Sequence, residues 1–225
     1  MMIYKADGII DAFGNEINLW QTKESYRDAP NILLAGRFHG DEPEGEFVIR
    51  HMMRELAKKS YVSPYNIYFL PCLNPSGKKL FTRANGRGVD LNRNYPTQNF
   101  SSQSVNPHTK SLFAGSPASE VETRFMMDIV EKYKFVRILS VHSDLHLIDY
   151  DGPARELAVQ FSQKCGYRLV DDIGYPTNGS FGTWAGIEKQ IPLLTVETPK
   201  GRTEAQMHKI MAQLHEAIAD FCQLQ

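Results

Sequence analysis

Ile32-Leu33-Leu34-Ala35-Gly36-Arg37-Phe38-His39-Gly40-Asp41-Glu42 is an apolar run that breaks, after three residues, into a histidine and a glutamate three apart. Ile32–Ala35 reads as a core strand, and Glu44–Lys59 as a helix with Phe47, Val48, Met52 and Leu56 at helical spacing. Pro43 fits the first turn, where a missing N–H costs nothing. Where a buried strand gives way to a helix, His39 and Glu42 can grip one metal ion together. Asp41, Glu42 and Glu44 also suit a helix N-terminus for dipole reasons alone. Taken by itself, His-x-x-Glu is a weak pattern, and its weight comes from the rest of the chain.

Further apolar runs, Ile67–Leu70, Val136–Val141 and Leu193–Val196, read as core strands. They alternate with amphipathic stretches, which predicts an α/β fold: one domain over residues 1–225, a mixed β-sheet flanked by helices. Near the start, Gly14-Asn15 separates Ile9–Phe13 from Glu16–Trp20 and reads as a hairpin turn. A second helix is expected over Ser119–Lys134, with Ser119-Glu120-Val121-Glu122 as a capping box and Val121, Phe125, Ile129 and Tyr133 as its buried stripe. Others are expected at Pro153–Cys165, with Leu157, Ala158 and Phe161 inward, and at Thr203–Leu224, with Met207, Ile210, Met211, Leu214, Ile218 and Phe221 on one face. Thr97–Ser116, rich in Ser, Asn and Gln, reads as a long surface loop of the kind that forms a rim or lid.

Composition sets outer bounds. With 225 residues, 42% of them hydrophobic and 23% charged, the chain can bury a core without staples. A net charge of −1 gives no global pull toward nucleic acid or an anionic membrane. Cys72, Cys165 and Cys222 are odd in number and contain no Cys-x-x-Cys pair, so they read as reduced thiols. With Lys5, Asp7 and Asp11 breaking any signal-peptide core, the expected address is cytoplasmic.

Catalytic zinc commonly takes three protein ligands and keeps a position for water. His39, Glu42 and His142, the last just past a predicted strand in Leu139-Ser140-Val141-His142-Ser143, would supply them at strand ends, where α/β sheets gather their sites. Asp90, in Gly88-Val89-Asp90-Leu91-Asn92-Arg93-Asn94, could hold the second nitrogen of His39, though it suits an ordinary turn equally well. Arg83, Asn92 and Arg93 have the chemistry to hold an anionic substrate, whereas Arg87 fits a solvated loop. Glu197, at the end of Leu193–Val196, fits a proton shuttle or, as readily, a surface ion pair. Tyr175 fits a closing loop or simple packing. His51, His208 and His215 fall on predicted helices and His108 in the polar loop. His146 would share the face of His142 if the strand continued that far.

Together, His39-x-x-Glu42, Asn74-Pro75-Ser76-Gly77, Arg83, Asp90-x-Asn92-Arg93-Asn94, Ser140-x-His142-Ser143 and Glu197 resemble the zinc carboxypeptidase superfamily, with its carboxypeptidase A-like fold. Within it, Arg83-Ala84-Asn85, Gly88–Asn94 and Gly174-Tyr175-Pro176-Thr177 followed by Gly179-Ser180-Phe181-Gly182 are similar to murein tripeptide amidases, which cut γ-D-glutamyl-diaminopimelate bonds. The resemblance implies one zinc ion on His39, Glu42 and His142, with Asp90 supporting His39. It implies that Arg83 polarises the scissile carbonyl, that Asn92 and Arg93 hold a free carboxylate with Tyr175 nearby, and that Glu197 is the general base. Ser76 stands where the family usually has Asp, and the loop from Tyr175 to Ser180 is one residue shorter than in digestive carboxypeptidases. Phe181 and Gly182 are uncharged and do not read a second amine. Asp144, Asp149 or Asp151 could meet it. The expected partner is a small peptide with a free carboxylate, with no role for nucleic acid or membrane. Two rivals remain: an acyl-amino-acid deacylase of the aspartoacylase and succinylglutamate desuccinylase type, which shares the His-x-x-Glu and Asp-Leu-Asn-Arg elements, and a non-catalytic module that binds peptide or metal on the same scaffold.

Overall fold

The long apolar runs assemble side by side. In the computed structural model, which describes residues 2–22, 28–58, 61–106, 110–201 and 203–225, they form the middle of an eight-stranded sheet. Its order is β1 (Ile3–Ile10), β2 (Glu16–Thr22), β4 (Asn66–Leu70), β3 (Asn31–Gly36), β7 (Arg137–Ser143), β10 (Leu193–Thr198), β8 (Leu147–Asp151) and β9 (Arg168–Leu169). β4, β3, β7 and β10 are parallel, while β2 and β8 flank them antiparallel. Strands buried on both faces read as continuous Ile/Leu/Val runs, which is why these four are visible in the sequence.

Alternate residues feed two cores. Ile32, Leu34, Leu139, Val141, Leu194 and Val196 pack under helices α1 (Pro43–Lys58), α4 (Arg155–Cys165) and α5 (Glu204–Phe221). Leu33, Ala35, Ile138 and Leu193 face the other way, toward Phe125, Met126, Ile129 and Val130 of α3 (Val121–Tyr133). The chain leaves β3 through α1 to β4 on one side, while β7 lies on the other. The carboxyl end of β3 is therefore a topological switch point, the place where open α/β sheets form their crevice. There, α1 presses directly on the strands: a Cβ on Gly36 would lie 2.7 Å from the carbonyl of Gly45, and one on Gly45 would lie 2.5 Å from the Val141 oxygen.

Several expectations shift. The first strand lies at Ile3–Ile10 rather than Ile9–Phe13, because Asp11 accepts the amides of Phe13 and Asn15 at 2.8 Å and turns the chain early. The second helix does not use the predicted capping box. Ser119 Oγ donates to Glu120 instead, Glu122 accepts from Asn85, and the helix begins at Val121 on an N-cap, Glu120, whose side chain makes no cap bond. Its buried stripe turns to Phe125/Met126 and Ile129/Val130, leaving Val121 and Tyr133 partly exposed. A true capping box occurs at Thr203 and Gln206, opening α5.

The Thr97–Ser116 segment is not loop throughout, since it folds into a hairpin of β5 (Gln103–Asn106) and β6 (Lys110–Phe113). His108 falls outside the described residues. Pro75–Leu80 forms a short helix, α2, whose N-cap Asn74 accepts the amide of Gly77 at 2.8 Å.

Candidate metal centre and substrate cavity

At the carboxyl ends of β3 and β7, His39, Glu42 and His142 converge with ligand atoms all within 4.8 Å of one another, each residue buried. Local sequence brings them there. Arg37, at φ +50°, turns the chain out of β3 and clamps the loop by donating to the Gly40 carbonyl at 2.8 Å and to Glu46 at 2.8 Å. Glu46 also takes Lys78 and Arg50, which outweigh its burial and hold its pKa below the usual range. Glu42 then sits in the turn before α1, facing β7. His142 lies inside β7, which runs two residues beyond the predicted end, rather than just past it.

His39 Nδ1 is 2.8 Å from Glu42 Oε1, and His142 Nδ1 is 3.1 Å from Glu42 Oε2 and 3.4 Å from His39 Nδ1. Two imidazole nitrogens and both carboxylate oxygens thus aim at one point, and a divalent cation would satisfy all of them together. Two neutral histidines and a carboxylate are a common catalytic zinc set, so the residues fit that metal. His39 Nε2 lies 3.2 Å from Asp90 Oδ1, which turns the Nδ1 edge of the ring toward Glu42. Burial lowers the His39 pKa and Arg83 adds to that, but Glu42 and Asp90 outweigh them and raise it. Burial lowers that of His142.

Asp90 performs both roles left open by its sequence. It accepts the Asn92 amide at 2.9 Å, capping the 3-10 turn Leu91–Arg93, and it holds His39 through Oδ1 and the Arg83 Nε through Oδ2 at 2.9 Å. Burial would raise its pKa, yet Arg83 and His39 keep it well below the usual carboxylate range. Arg83 is thereby aimed at the centre, with Nη1 3.5 Å from Glu42 Oε1.

A cavity of about 270 Å³ opens over this centre, and His39, Glu42, Arg83, Asn92, Arg93, His142, Tyr175 and Glu197 all line it. Asn92 Oδ1 accepts the Phe181 amide at 2.9 Å, which leaves the Asn92 NH2 as a donor for a ligand. Glu197 is the β10 neighbour of His142 in register, and its Oε2 is shielded from solvent without a hydrogen-bond partner. It is therefore no surface ion pair. Burial, reinforced by the nearby Glu42 charge, pushes its pKa up to about 8, the range of a group poised to take and return a proton. Burial also raises the pKa of Tyr175.

The sequence reading named Asp149 and Asp151 as candidates for a second amine but not the strand, β8, that carries them. β8 pairs antiparallel with β10, bringing Asp149 opposite Thr195 and Asp151 opposite Leu193, and both aspartates line the cavity. Burial raises the pKa of Asp149 to about 7, with the Asp151 charge adding to it, and burial raises that of Asp151 to about 6. Asp151 lies against bare backbone: a Cβ on Gly182 would meet its Oδ2 at 2.0 Å. Asp144 is exposed at the rim.

Other residues stay outside the cavity. His146 turns away at φ +54°, and its ring lies edge-on to Tyr167 at 4.5 Å, because β7 ends at Ser143. His51, His208 and His215 pack around Phe47 and each other on α1 and α5. None of the described residues of the β5–β6 segment lines the cavity. Instead, the Phe113 carbonyl accepts the Asp90 amide at 2.9 Å and steadies the turn beneath it. Asn85, quoted only as part of a motif, proves to be a buried hub that donates to Glu120 and Glu122 and accepts the amides of Arg87 and Val89.

The zinc carboxypeptidase family profile matches residues 13–163. The chain belongs to the zinc carboxypeptidase family. Murein peptide amidase A of Vibrio campbellii is 32% identical over 181 residues, covering 75% of this chain and 68% of that protein. In three dimensions, murein-tripeptide amidase from Escherichia coli O157 superposes with a TM-score of 0.79 at 24% identity, over 99% of this chain and 92% of that one. Carboxypeptidase A from Helicoverpa armigera does so at 0.76 and 17%, over 96% and 66%. The fold is therefore carboxypeptidase A-like, and the chain is a hydrolase of the metallocarboxypeptidase and amidase kind.

Proposed function

We propose that residues 1–225 act as a single catalytic domain that hydrolyses the γ-D-glutamyl-diaminopimelate amide of murein peptides, using one zinc ion. The observation that carries this reading is the charge layout of the cavity. Beside the metal centre, Asn92 and Arg93 can hold a carboxylate, and Asp149 and Asp151 provide two half-buried acceptors for an ammonium in the same cavity. A leaving residue with a carboxylate next to its scissile nitrogen and a second amine at its far end, as diaminopimelate has, matches both features. The likeness to murein peptide amidase A supports the same substrate.

His39, Glu42 and His142 would hold the zinc, with Asp90 fixing His39. A zinc ion there supplies Lewis acidity toward water and the amide carbonyl. Glu197, which lines the cavity, takes a proton from the attacking water as the O–C bond forms. It returns that proton to the leaving nitrogen as the C–N bond breaks. Arg83, fixed by Asp90, donates to the oxygen that gains charge. Asn92 and Arg93 orient the leaving residue through its carboxylate, and Tyr175 lines the same cavity. The cysteines, Cys72, Cys165 and Cys222, are free thiols, which suits a reducing cytoplasmic setting.

The test is mass spectrometry of L-Ala-γ-D-Glu-diaminopimelate incubated with zinc-loaded protein. Release of diaminopimelate is expected, with Glu197→Gln keeping its zinc but losing about 10²–10⁴-fold in kcat. An uncleaved peptide with zinc bound would overturn the substrate, and a fully active Glu197→Gln would overturn the role of Glu197.

A further inference from the structure

The cavity has a third charged end that this function leaves unexplained. β10 runs through the site as a ruler, with side chains two residues apart lying on the same face at about 3.3 Å per residue. Thr195, flanked by Asp149, lies on the acidic side of Glu197. Asn92 belongs to that side too, since it grips Phe181, next to the Gly182 that packs on Asp151. In the opposite direction, three residues past Glu197, is Lys200, and it lines the same cavity. The catalytic glutamate thus stands between a wall that fits the leaving residue and a lysine on the far side.

Lys200 is held in place. Its Nζ donates to Ser143 Oγ at 3.2 Å and to the Asp41 carbonyl at 3.5 Å, next in sequence to His142 and Glu42 respectively. Ser143 in turn donates to buried Glu44 at 3.0 Å, and the other Glu44 oxygen accepts the Gly201 amide at 2.6 Å. Both direct partners of the ammonium are neutral oxygens, so it keeps donor capacity for an anion. Of the other cations lining the cavity, Arg83 is engaged with Asp90 and Arg93 lies beside Asn92. Asp41 and Asp144 share the Lys200 rim, and without the lysine that side would repel an anion.

We propose that Lys200 reads a free carboxylate on the acyl side of the scissile bond, and so selects acyl residues that carry an anion three carbons from the scissile carbonyl over neutral ones. The inference rests on the proposed amidase reading. In a γ-glutamyl amide the α-carboxylate remains free, three carbons from the scissile carbonyl, whereas an acyl residue with a neutral side chain, or one whose α-carboxyl is amidated, has no anion there. A charge-assisted hydrogen bond from a positioned ammonium recognises that difference.

The experiment compares two peptides on the zinc-loaded full chain: L-Ala-γ-D-Glu-diaminopimelate, and the same peptide with the glutamyl α-carboxylate converted to a carboxamide. Wild type is expected to favour the carboxylate in kcat/KM by about tenfold or more. Lys200→Gln is expected to abolish or reverse that preference, and Lys200→Arg to retain part of it. The ratio is measured within each preparation, so it does not depend on the fraction folded or metal-loaded. Wild type that treats both peptides alike, or Lys200→Gln that keeps the preference, would overturn the role of Lys200 and leave the amidase reading standing. Wild type that cleaves neither peptide with zinc bound would overturn both.

Discussion

Asp90 shows how one residue governs a site it does not itself catalyse in. Its two oxygens bind three partners, the Asn92 amide, His39 and Arg83, and so set the ring of a ligand and the aim of the guanidinium. Replacing it with alanine removes the acceptor for His39 Nε2 and frees Arg83 from its anchor. Zinc affinity should fall about 10–100-fold, as it does when such outer partners of metal histidines are lost. A competition titration with a chelator measures this, and an unchanged affinity would reduce Asp90 to a turn former. His39, Glu42, His142 and Glu197 are legible in the sequence because each sits where an apolar run stops. Lys200 is not, because its meaning depends on Ser143, 57 positions away, and on buried Glu44 behind it.

At the scale of elements, β8 is the strand that escaped the sequence and the one that brings Asp149 and Asp151 to the cavity. Leu147-Ile148-Asp149-Tyr150-Asp151 lacks an apolar stripe because two residues of one face are aspartates turned to the cavity. The core strands β3, β4, β7 and β10 had no such duty and kept their hydrophobic signal. The β5–β6 hairpin was hidden for a related reason, its sequence being too polar to show a strand pattern. With pKa values pushed up to about 7 and about 6, Asp149 and Asp151 hold protons below that range. KM for the diaminopimelate peptide should therefore fall as pH rises through 6–7, and Asp149→Asn should flatten that dependence while raising KM. The stability sign is opposite. A carboxyl whose folded pKa is raised binds more protons folded than unfolded between about 4 and 7, so the empty protein loses stability as pH climbs through that window. Asp149→Asn should remove the loss and gain on the order of 1–3 kcal/mol at pH 8. Thermal melts from pH 5 to 8, together with KM profiles, test both signs. A variant that is weaker in binding yet no more stable would overturn the stability cost assigned to burying these carboxyls.

For the whole molecule, the site is an attachment to a sheet that is already complete. The two cores on either face of the sheet are built from apolar residues of strands β3, β7 and β10 and of helices α1, α3, α4 and α5, with His142 stacking on Phe38 at the edge of one of them. His39 and Glu42 lie in the turn between β3 and α1, and His142 lies near the end of β7, one residue past its last pairing with β3. Their charges also have partners without a metal, since Glu42 meets both histidines and its pKa stays well below the usual range despite burial. Metal removal should therefore leave the fold intact and cost only the linkage energy of the ion. At a thousandfold excess of free zinc over its dissociation constant that is about 4 kcal/mol. For a chain of this size it corresponds to a melting temperature lower by about 8–16 °C. Far-UV circular dichroism of chelator-treated protein should match that of the zinc form at 25 °C, while its melt moves down. His142→Ala should melt at nearly the same temperature with and without zinc. Collapse of the dichroism spectrum on chelation would instead mean that the ion staples β3 to β7, and that the two cores cannot hold the sheet alone.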